Sequence, residues 1–320
     1  MSTEKTPAPK GRLHERNKHR PRYDLEALTT RVPELRTYLV TNRHGKPSID
    51  FAEPRAVRLL NMALLYEHYG IGQWEFPMDN LTPPVPGRVD YLHHLADLLA
   101  ESNQGALPDG DRLTGLDIGT GASCIYPLLG VAEYGWQFLA SDTEEASLVS
   151  ARQIVEANPV LHGRIELRRQ ENFEKMFNGV LLPDERVDFT VCNPPFHATP
   201  EEAAAGSRRK VKNLTGKPEP EPTLNFSGQP GELVYPGGEY RFIRNMIWDS
   251  REVAKQCFWF STLVSKQSHL KRIRKLFSSV DAEQHRVIPM GTGNKSTRMV
   301  AWSFLNKKER QRWRGSRWIG

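Results

Sequence analysis

The feature of this sequence that most constrains its fold is a regular alternation of strand-like and helix-like patterns after Asp111. Short runs rich in β-branched and aromatic residues are separated by segments with apolar residues three and four positions apart. This alternation is typical of a parallel sheet covered by helices on both faces, because each parallel strand needs a long crossover before the next one. The sequence therefore predicts a doubly wound, Rossmann-like α/β domain over residues 111–305. The predicted strands are residues 113–118, 136–141, 164–168, 186–192, 257–264, 284–289 and 298–305, and the predicted helices are 123–134, 144–157, 238–255 and 266–278.

Two helical patterns precede this domain. Residues Pro54–Tyr69 carry apolar residues at helical spacing, begin with a proline and end before Gly70. A second helix is predicted from Asp90. Residues 23–110 are therefore expected to form a small, largely helical unit, and the polar connection at 197–237 is too long for a core element and is expected to be a flexible loop.

Positive charge is concentrated at the two ends of the chain. The formal net charge is +6, of which residues 1–22 contribute +5 and residues 306–320 another +5, which leaves −4 for the body between them. Such clusters predict contact with a polyanion, because cations gain most from phosphates whose counterions they release. Termini that only aid solubility are the alternative. Residues 1–22 are expected to be a disordered basic arm, and residues 306–320 a basic tail.

The cysteines and the hydropathy favour a soluble protein of a reducing compartment. Cys124, Cys192 and Cys257 lie in apolar stretches without a CxxC pair or a histidine at metal-ligand spacing, so we expect buried thiols and no metal. No stretch approaches about 20 consecutive apolar residues, and the first ten residues lack the apolar core of a signal peptide. We expect a cytoplasmic protein.

A glycine turn follows the first predicted strand of the sheet. In the stretch LTGLDIGTG from Leu113, Gly119 and Gly121 let the backbone approach a ligand closely, and the helix that follows offers amide donors. A dinucleotide-binding fingerprint would have a third glycine where this chain has Cys124. Asp142 ends the next strand, where a carboxylate accepts the ribose hydroxyls of a nucleoside or, alternatively, caps a helix. Together these residues predict a nucleoside cofactor.

The motif Asn193-Pro194-Pro195-Phe196 comes directly after the strand Val187–Cys192. An amine conjugated to a purine ring is a poor nucleophile, so two hydrogen-bond acceptors are needed to direct its lone pair toward a methyl donor. The Asn193 side chain and the Pro194 carbonyl are suited to this, because consecutive prolines restrict the local backbone. Phe196 is expected to stack on an extruded base.

The order of several motifs along the chain resembles one known family. The glycine turn, the NPPF motif, the segment GGEYRFIR from Gly237, the strand from Trp259 and the ending from Thr297 are similar to those of bacterial 23S ribosomal RNA adenine-N6 methyltransferases of the RlmF type. The resemblance extends from about Arg22 to Phe304. It implies the seven-stranded methyltransferase variant of the doubly wound fold, S-adenosylmethionine as cofactor and methylation of adenine N6 in 23S ribosomal RNA.

The resemblance also implies roles for individual residues. Gly119 and Ser123 would face the cofactor, Asp142 its ribose and Asn172 its adenine end. Arg88 would hold the methionine carboxylate, which a guanidinium can bind through two parallel hydrogen bonds.

RNA binding is implied for the helical unit at residues 23–110, in agreement with the charge pattern. We predict that the basic arm and the connection after NPPF contact RNA phosphates. The predicted RNA-binding residues are Lys10, Arg12, Arg16, Lys18, Arg20, Arg22, Arg208, Arg209, Lys210 and Lys212. The expected partner is 23S ribosomal RNA or a large-subunit assembly intermediate, bound by a monomer.

Other functions stay open at this point. NPPF followed by His197 is also similar to ribosomal RNA guanine-N2 methyltransferases, and glutamine-N5 methyltransferases acting on release factors use a related Asn-Pro-Pro-aromatic site. A third alternative is a non-catalytic RNA-binding ribosome-assembly factor. Intact Gly119, Gly121 and Asp142 argue against such a loss of catalysis.

Overall fold

A computed structural model of the protein describes residues 13–42, 45–205, 230–292 and 295–319. In this part of the chain the strands are β1 Leu39–Thr41, β2 Pro47–Ile49, β3 Thr114–Ile118, β4 Gln137–Asp142, β5 Ile165–Arg169, β6 Val187–Cys192, β7 Cys257–Val264, β8 Gln284–Thr292 and β9 Lys295–Ser303. The α-helices of two turns or more are α1 Leu25–Arg31, α2 Pro54–Tyr69, α3 Val85–Ser102, α4 Ile125–Tyr134, α5 Glu145–Ala157, α6 Gly238–Ser250, α7 Leu270–Ser279 and α8 Lys307–Trp313.

Seven of these strands form one sheet in the order β5-β4-β3-β6-β7-β9-β8. Strands β3 to β7 are parallel, and β9 lies antiparallel between β7 and β8. The chain moves outward from β3 in one direction and then returns to β6 on its other side. A crevice forms where the strand order reverses in this way, outside the carboxyl ends of β3 and β6, and ligands bind there in open α/β sheets.

Side chains that alternate along the strands bury both faces of the sheet. Phe138 faces the apolar core shared with α3, α4 and α5, and its neighbour Leu139 faces the core shared with α6 and α7. Two covered faces explain why the strands lack the apolar–polar alternation of a half-exposed sheet. The predicted doubly wound α/β fold is confirmed.

Predicted and observed elements differ by several residues at some helix and strand ends. α6 ends at Ser250 rather than at residue 255, β8 extends three residues beyond its predicted end, and β9 begins three residues before its predicted start. The second helix begins at Val85 rather than Asp90, because Pro86 occupies the first turn, where a missing N–H removes no helical hydrogen bond. α7 begins at Leu270 because residues Gln267–His269 form a tighter helical turn before it. All three cysteines are buried free thiols.

The helices before the sheet form a small layer that leans on it. α1 and α2 share an apolar core with the β1–β2 hairpin, which the sequence patterns did not predict. α3 packs on α4 and contributes to the main apolar core. The helical unit is therefore joined to the seven-stranded sheet through an apolar interface rather than by a linker.

The expectation that residues 1–22 form a disordered arm is wrong for residues 13–22. Asn17 is only 3% exposed, and its side-chain amide donates to Asp90 Oδ1 at 3.0 Å. His19 is buried too and lies 2.9 Å from the Tyr69 hydroxyl. Polar side chains with these partners fix a segment whose composition alone indicates disorder.

The C-terminal residues are also packed, so the expectation that residues 306–320 form a basic tail is wrong for the segment up to 319. Asp188, near the start of β6, is fully buried. Its carboxylate accepts hydrogen bonds from the indole nitrogens of Trp313 and Trp318, both at 2.7 Å, and pairs with Arg317 at 2.9 Å. The segment therefore closes the amino ends of the parallel strands.

Within the described ranges, no helix is both long and apolar enough to cross a lipid bilayer.

Candidate active site

A cavity of about 760 Å³ lies at the carboxyl ends of β3, β4 and β6. The loops after these three strands form its floor, and residues 77–83 of the N-terminal layer form one wall. Seven of the predicted site residues line it: Arg88, Gly119, Gly121, Ser123, Asp142, Asn193 and Pro195.

The glycine turn shapes the cavity floor. Gly119 and Gly121 have φ of 72° and 65°, in the left-handed region where a Cβ would strain the backbone. The amides of Gly119 and Thr120 both donate to the Ser141 carbonyl at 2.9 Å. These two amides are therefore used to fix the turn.

Asp142 ends β4, and its carboxylate fixes both the glycine turn and the backbone after β4. The N-cap of α5 is Glu144, so the alternative that Asp142 caps this helix is wrong. Its Oδ2 accepts the amide of Gly121 at 2.8 Å, and its Oδ1 accepts the amide of Glu144 at 3.0 Å. Burial raises the pKa of this carboxyl, while these two amides act to lower it. Each carboxylate oxygen has a further lone pair, so Asp142 can hold the turn and still accept hydroxyls in the cavity.

Two charged side chains at this end of the sheet have buried polar atoms without a hydrogen-bond partner among the described residues: the half-buried Arg88, which lines the cavity, and the buried Asp117, one residue before the lining residue Ile118. Arg88, on α3, donates from Nη1 to the Tyr126 hydroxyl at 2.9 Å, but its Nε has no partner among the described residues. Asp117, on β3, is 1% exposed, and neither carboxylate oxygen has a partner there. Burial raises the pKa of Asp117 to about 7. A buried carboxylate without partners is costly unless a ligand of opposite charge binds it, and the Nε of Arg88 is a buried donor that a ligand could use.

Asn193 follows β6 directly and lies at the same edge as the glycine turn. Its Oδ1 is buried yet has no hydrogen-bond partner among the described residues. Pro194 is buried, and Pro195 lines the cavity. The structure thus presents one unused acceptor at the position that the NPPF motif predicts for the reacting amine.

Aromatic side chains form the cavity wall opposite the N-terminal layer. Tyr235 and Phe242 pack edge to face with ring centroids 5.1 Å apart and both line the cavity, whereas the half-buried Phe196 does not. The amide of His197 donates to the Leu233 carbonyl, and the amide of Tyr235 donates back to the His197 carbonyl at 3.0 Å. This pairing brings Tyr235 beside the NPPF motif from about 40 residues away, a proximity that no sequence pattern indicated.

Asn172 does not reach the cavity. Its Oδ1 accepts the amide of Glu174 at 2.9 Å and so caps a turn. The neighbouring Phe173 and Gln170 line the cavity instead, and the Phe173 side chain is largely exposed. The residues of this loop that line the cavity are therefore not the one predicted.

Arg58, on α2, holds the loop that forms the N-terminal wall. Its guanidinium donates to the carbonyls of Phe76 and Pro77 and lies 4.0 Å from the Phe76 ring centroid. The next part of the loop is tied across the cavity, because the amide of Leu81 donates to Glu232 Oε2 at 3.0 Å. The N-terminal layer thus helps to build the cavity, a role beyond the RNA binding that the resemblance implied for it.

The predicted RNA-binding residues lie in several environments. Arg16 pairs with Asp97 at 2.7 Å, and Lys18 pairs with Glu133, near the end of α4 that lies away from the cavity. Arg20 and Arg22 are exposed. The remaining predicted residues lie outside the described part of the chain: Lys10, Arg12, Arg208, Arg209, Lys210 and Lys212.

The sequence is similar to known RNA methyltransferases over nearly its whole length. The model of an RNA methyltransferase family matches residues 7–306. Ribosomal RNA large subunit methyltransferase F of Ectopseudomonas mendocina is 52% identical over 317 residues, with 98% of this chain and 95% of that protein covered. The protein of the same name from Cytophaga hutchinsonii is 47% identical over 312 residues, with 98% and 97% covered.

Solved structures of the same fold include two of human METTL16. The catalytic domain in complex with MAT2A 3′UTR hairpin 1 has a TM-score of 0.78 and 30% identity, with 92% of this chain and 96% of that chain covered. The N-terminal domain of human METTL16 in complex with SAH has a TM-score of 0.72 and 27% identity, with 92% and 99% covered.

Proposed function

The chain belongs to the RNA methyltransferase family that its sequence matches over residues 7–306, and from this we propose that it methylates N6 of an adenine in 23S ribosomal RNA of the large subunit. S-adenosylmethionine is the cofactor. The observation that carries the proposal is the buried, unused Oδ1 of Asn193 in the cavity beside the glycine turn. A hydrogen-bond acceptor left unpaired at such a position is costly unless a substrate N–H completes it.

The charged groups around the cavity fit the cofactor. Arg88 would bind its carboxylate, since the buried Nε is without a partner in the described chain, and Asp117 would bind its ammonium. Asp142 would accept the ribose hydroxyls, and Phe173 and Gln170 would lie against the adenine. S-adenosylmethionine, when bound, supplies an electrophilic methyl group on a sulfonium. The chain supplies the binding groups and a cavity that excludes bulk water.

Catalysis would depend on orienting the amine of the substrate base. Asn193 Oδ1 would accept one N–H, and the Pro194 carbonyl would accept the other, so that the nitrogen lone pair points toward the methyl group. The buried Pro194 and the half-buried Pro195 hold the backbone so that both acceptors keep their positions. The amine would lose its extra proton after the transfer, so no strong general base is needed.

The base would leave its stack to enter the cavity, as in other enzymes that act on a nucleobase. Tyr235 and Phe242 are the aromatic residues that line the cavity next to the NPPF motif, and Phe196 lies next to Pro195 outside the lining. We assign stacking to Tyr235 first, because Asn245 donates to its hydroxyl at 2.9 Å and fixes the ring. Stacking of a base on such a ring contributes about 1 to 3 kcal/mol.

The base identity is tested by incubating the full-length protein with labelled S-adenosylmethionine and 23S ribosomal RNA from cells that lack the enzyme. Digestion to nucleosides should yield labelled N6-methyladenosine. Recovery of N2-methylguanosine would instead support the guanine-N2 alternative. Labelled protein with unlabelled RNA would support the protein-amide alternative, and cofactor binding without any transfer would support a non-catalytic factor.

The same assay addresses the finer parts of the proposal. Parallel reactions with naked RNA and with isolated large-subunit precursors should show which one is methylated at the lower enzyme concentration. We propose that the enzyme acts as a monomer, without a metal and in the cytoplasm, where a bacterial ribosomal substrate is found. Sedimentation of the active protein and activity in a chelator check the first two points.

A further inference from the structure

A basic surface lies on the side of the sheet covered by α6 and α7. Residues 265–280 contain five Lys or Arg and no Asp or Glu. We call this surface the α7 basic face; its members are Lys266, Lys271, Arg272, Arg274 and Lys275, together with Arg241 and Arg244 on α6.

All seven side chains of the α7 basic face are exposed. None of them forms an ion pair with another described residue. Arg16 and Lys18, by contrast, are neutralised by carboxylates. Unpaired cations retain their counterions until a polyanion displaces them, so this face has more to gain from RNA than the paired segment has.

The inner side of α7 packs on the apolar core. Ile273 and Phe277 anchor α7 in the core, which leaves Lys271, Arg274 and Lys275 on the outer side. Glu239, an acidic residue at the start of α6, is buried, and its carboxylate accepts the amide of Ser265 at 2.6 Å and contacts His269. The carboxylate is thus used within the protein and does not reach the outer surface.

The α7 basic face begins beside the active site. Lys266 follows β7 as Asn193 follows β6, and these parallel strands are neighbours about 4.8 Å apart, so both residues lie at the same edge of the sheet. α6 also connects the cavity with the α7 basic face. Phe242 lines the cavity, and the ring centroid of Tyr240, two residues earlier on the same helix, lies 3.6 Å from the Arg272 guanidinium.

We infer that the α7 basic face binds the phosphate backbone of structured RNA next to the extruded nucleotide. This inference rests on the proposed function and adds the surface on which the substrate docks. The body of the chain has a net charge of −4, but a polyanion can still bind where positive charges are clustered. Around α7 they are clustered, because residues 265–280 contain no acidic residue and Asp281 and Glu283 follow only after α7 ends.

The test compares two triple variants of the full-length protein that remove the same charge. K271Q/R274Q/K275Q removes three exposed cations of the α7 basic face. K307Q/K308Q/R312Q removes three exposed cations of α8, which lies at the opposite edge of the sheet. Each variant is titrated with 23S ribosomal RNA over a range of salt concentrations, and S-adenosylmethionine binding is measured by calorimetry.

K271Q/R274Q/K275Q should bind RNA about tenfold to a hundredfold more weakly at about 0.1 M salt, with a log–log salt slope that is less steep by about 2 to 3. Its KM for RNA should rise while kcat at saturating RNA and cofactor affinity stay unchanged. The α8 variant should behave as the unaltered protein. Equal RNA affinities and slopes for the two variants would overturn the inference. If the unaltered protein methylates no RNA at all, the proposed function is wrong. The binding titrations do not depend on methylation, so they test the docking surface separately.

Discussion

At the scale of single residues, the active site is a set of buried polar groups that the protein itself leaves incomplete. Asn193 Oδ1, Arg88 Nε and both oxygens of Asp117 have no partner in the described chain. Burying such groups without partners costs about 1 to 3 kcal/mol each for neutral ones and more for charged ones. Ligand binding can recover this energy, so these residues should affect binding and turnover more than folding.

Replacement of Asn193 tests the amine-orienting step. Asn193→Ala should lower kcat by about a hundredfold or more, because the variant lacks one preorganised hydrogen-bond partner at the reacting atom. Asn193→Asp keeps an acceptor at the same position and should retain more activity than the alanine variant. Both should bind S-adenosylmethionine normally in calorimetry. Near-normal turnover of a folded Asn193→Ala protein would show that another group orients the amine.

The pKa of Asp117 predicts how cofactor affinity depends on pH. Burial raises this pKa to about 7 in the free protein, so the carboxyl becomes protonated as the pH falls below that value. A protonated carboxyl cannot pair with an ammonium, and the affinity for S-adenosylmethionine should fall by up to about tenfold per pH unit below that point.

Calorimetric titrations between about pH 5 and about pH 7 measure this dependence. A tenfold loss of affinity corresponds to about 1.4 kcal/mol of binding free energy. Asp117→Asn should bind the cofactor more weakly than the unaltered protein at neutral pH and show a nearly flat profile. A profile of equal steepness in the Asn variant would assign the titration to a different group.

At the scale of elements, the strands were predictable and the segments that pack through polar contacts were not. β3, β4, β6 and β7 fall within one residue of their predicted starts, because each is a short run rich in apolar and β-branched residues. The arm and the tail were mispredicted for a shared reason. Their order depends on single buried partners far away in sequence, such as Asp90 for Asn17 and Asp188 for Trp318, and composition carries no information about such pairs.

The same distinction applies within the active site. Residues at strand ends, such as Gly119 and Asn193, were found because their position follows from the topology. Tyr235 and Phe173 were missed, since only the folding of long connections brings them to the cavity. Asp117 was missed although it lies within the glycine motif, where it is buried in β3. An acidic residue in a strand predicted to be central was the signal that could have identified it.

Removal of the C-terminal segment tests whether it is a structural element. A chain that ends at Leu305 lacks the three side chains that satisfy the buried carboxylate of Asp188. An uncompensated buried charge costs about 3 to 5 kcal/mol, so the midpoint of urea denaturation should fall sharply or the protein should become insoluble. K307Q/K308Q/R312Q, which removes charge but keeps these hydrogen bonds, should denature like the unaltered protein. An unchanged midpoint for the shortened chain would support the free-tail interpretation.

At the scale of the whole molecule, the α7 basic face starts at the edge of the sheet that holds the cavity. The cavity lies at the carboxyl ends of the strands, Lys266 follows the carboxyl end of β7, and the packed C-terminal segment lies at the amino ends. The cations of the N-terminal segment divide into the paired Arg16 and Lys18 and the exposed Arg20 and Arg22. The formal charge of a segment is therefore a poor guide to its affinity for RNA.

This division predicts different effects of two double variants on RNA binding. R16Q/K18Q should leave the salt slope nearly unchanged, because each cation already has a carboxylate partner. R20Q/R22Q removes two cations that form no ion pair with a described residue, and its slope should become less steep by about 0.7 to 0.9 for each RNA phosphate that these cations neutralise. Salt titrations of the two variants, with thermal denaturation as the folding control, compare them directly. A larger change in slope for R16Q/K18Q would contradict the assignment of its ion pairs as structural.

The hydrogen bonds of Asp188 also bear on how the protein folds during synthesis. Trp313 is made 125 residues after Asp188, so the ribosome releases the central strand long before the side-chain partners of its carboxylate exist. In a nascent chain only the amide of Thr114 would donate to this buried charge, and the sheet should gain its full stability only when synthesis has passed Trp318. An enzyme of ribosomal RNA built in this way would become competent only after its own messenger has been read almost to the end of this segment.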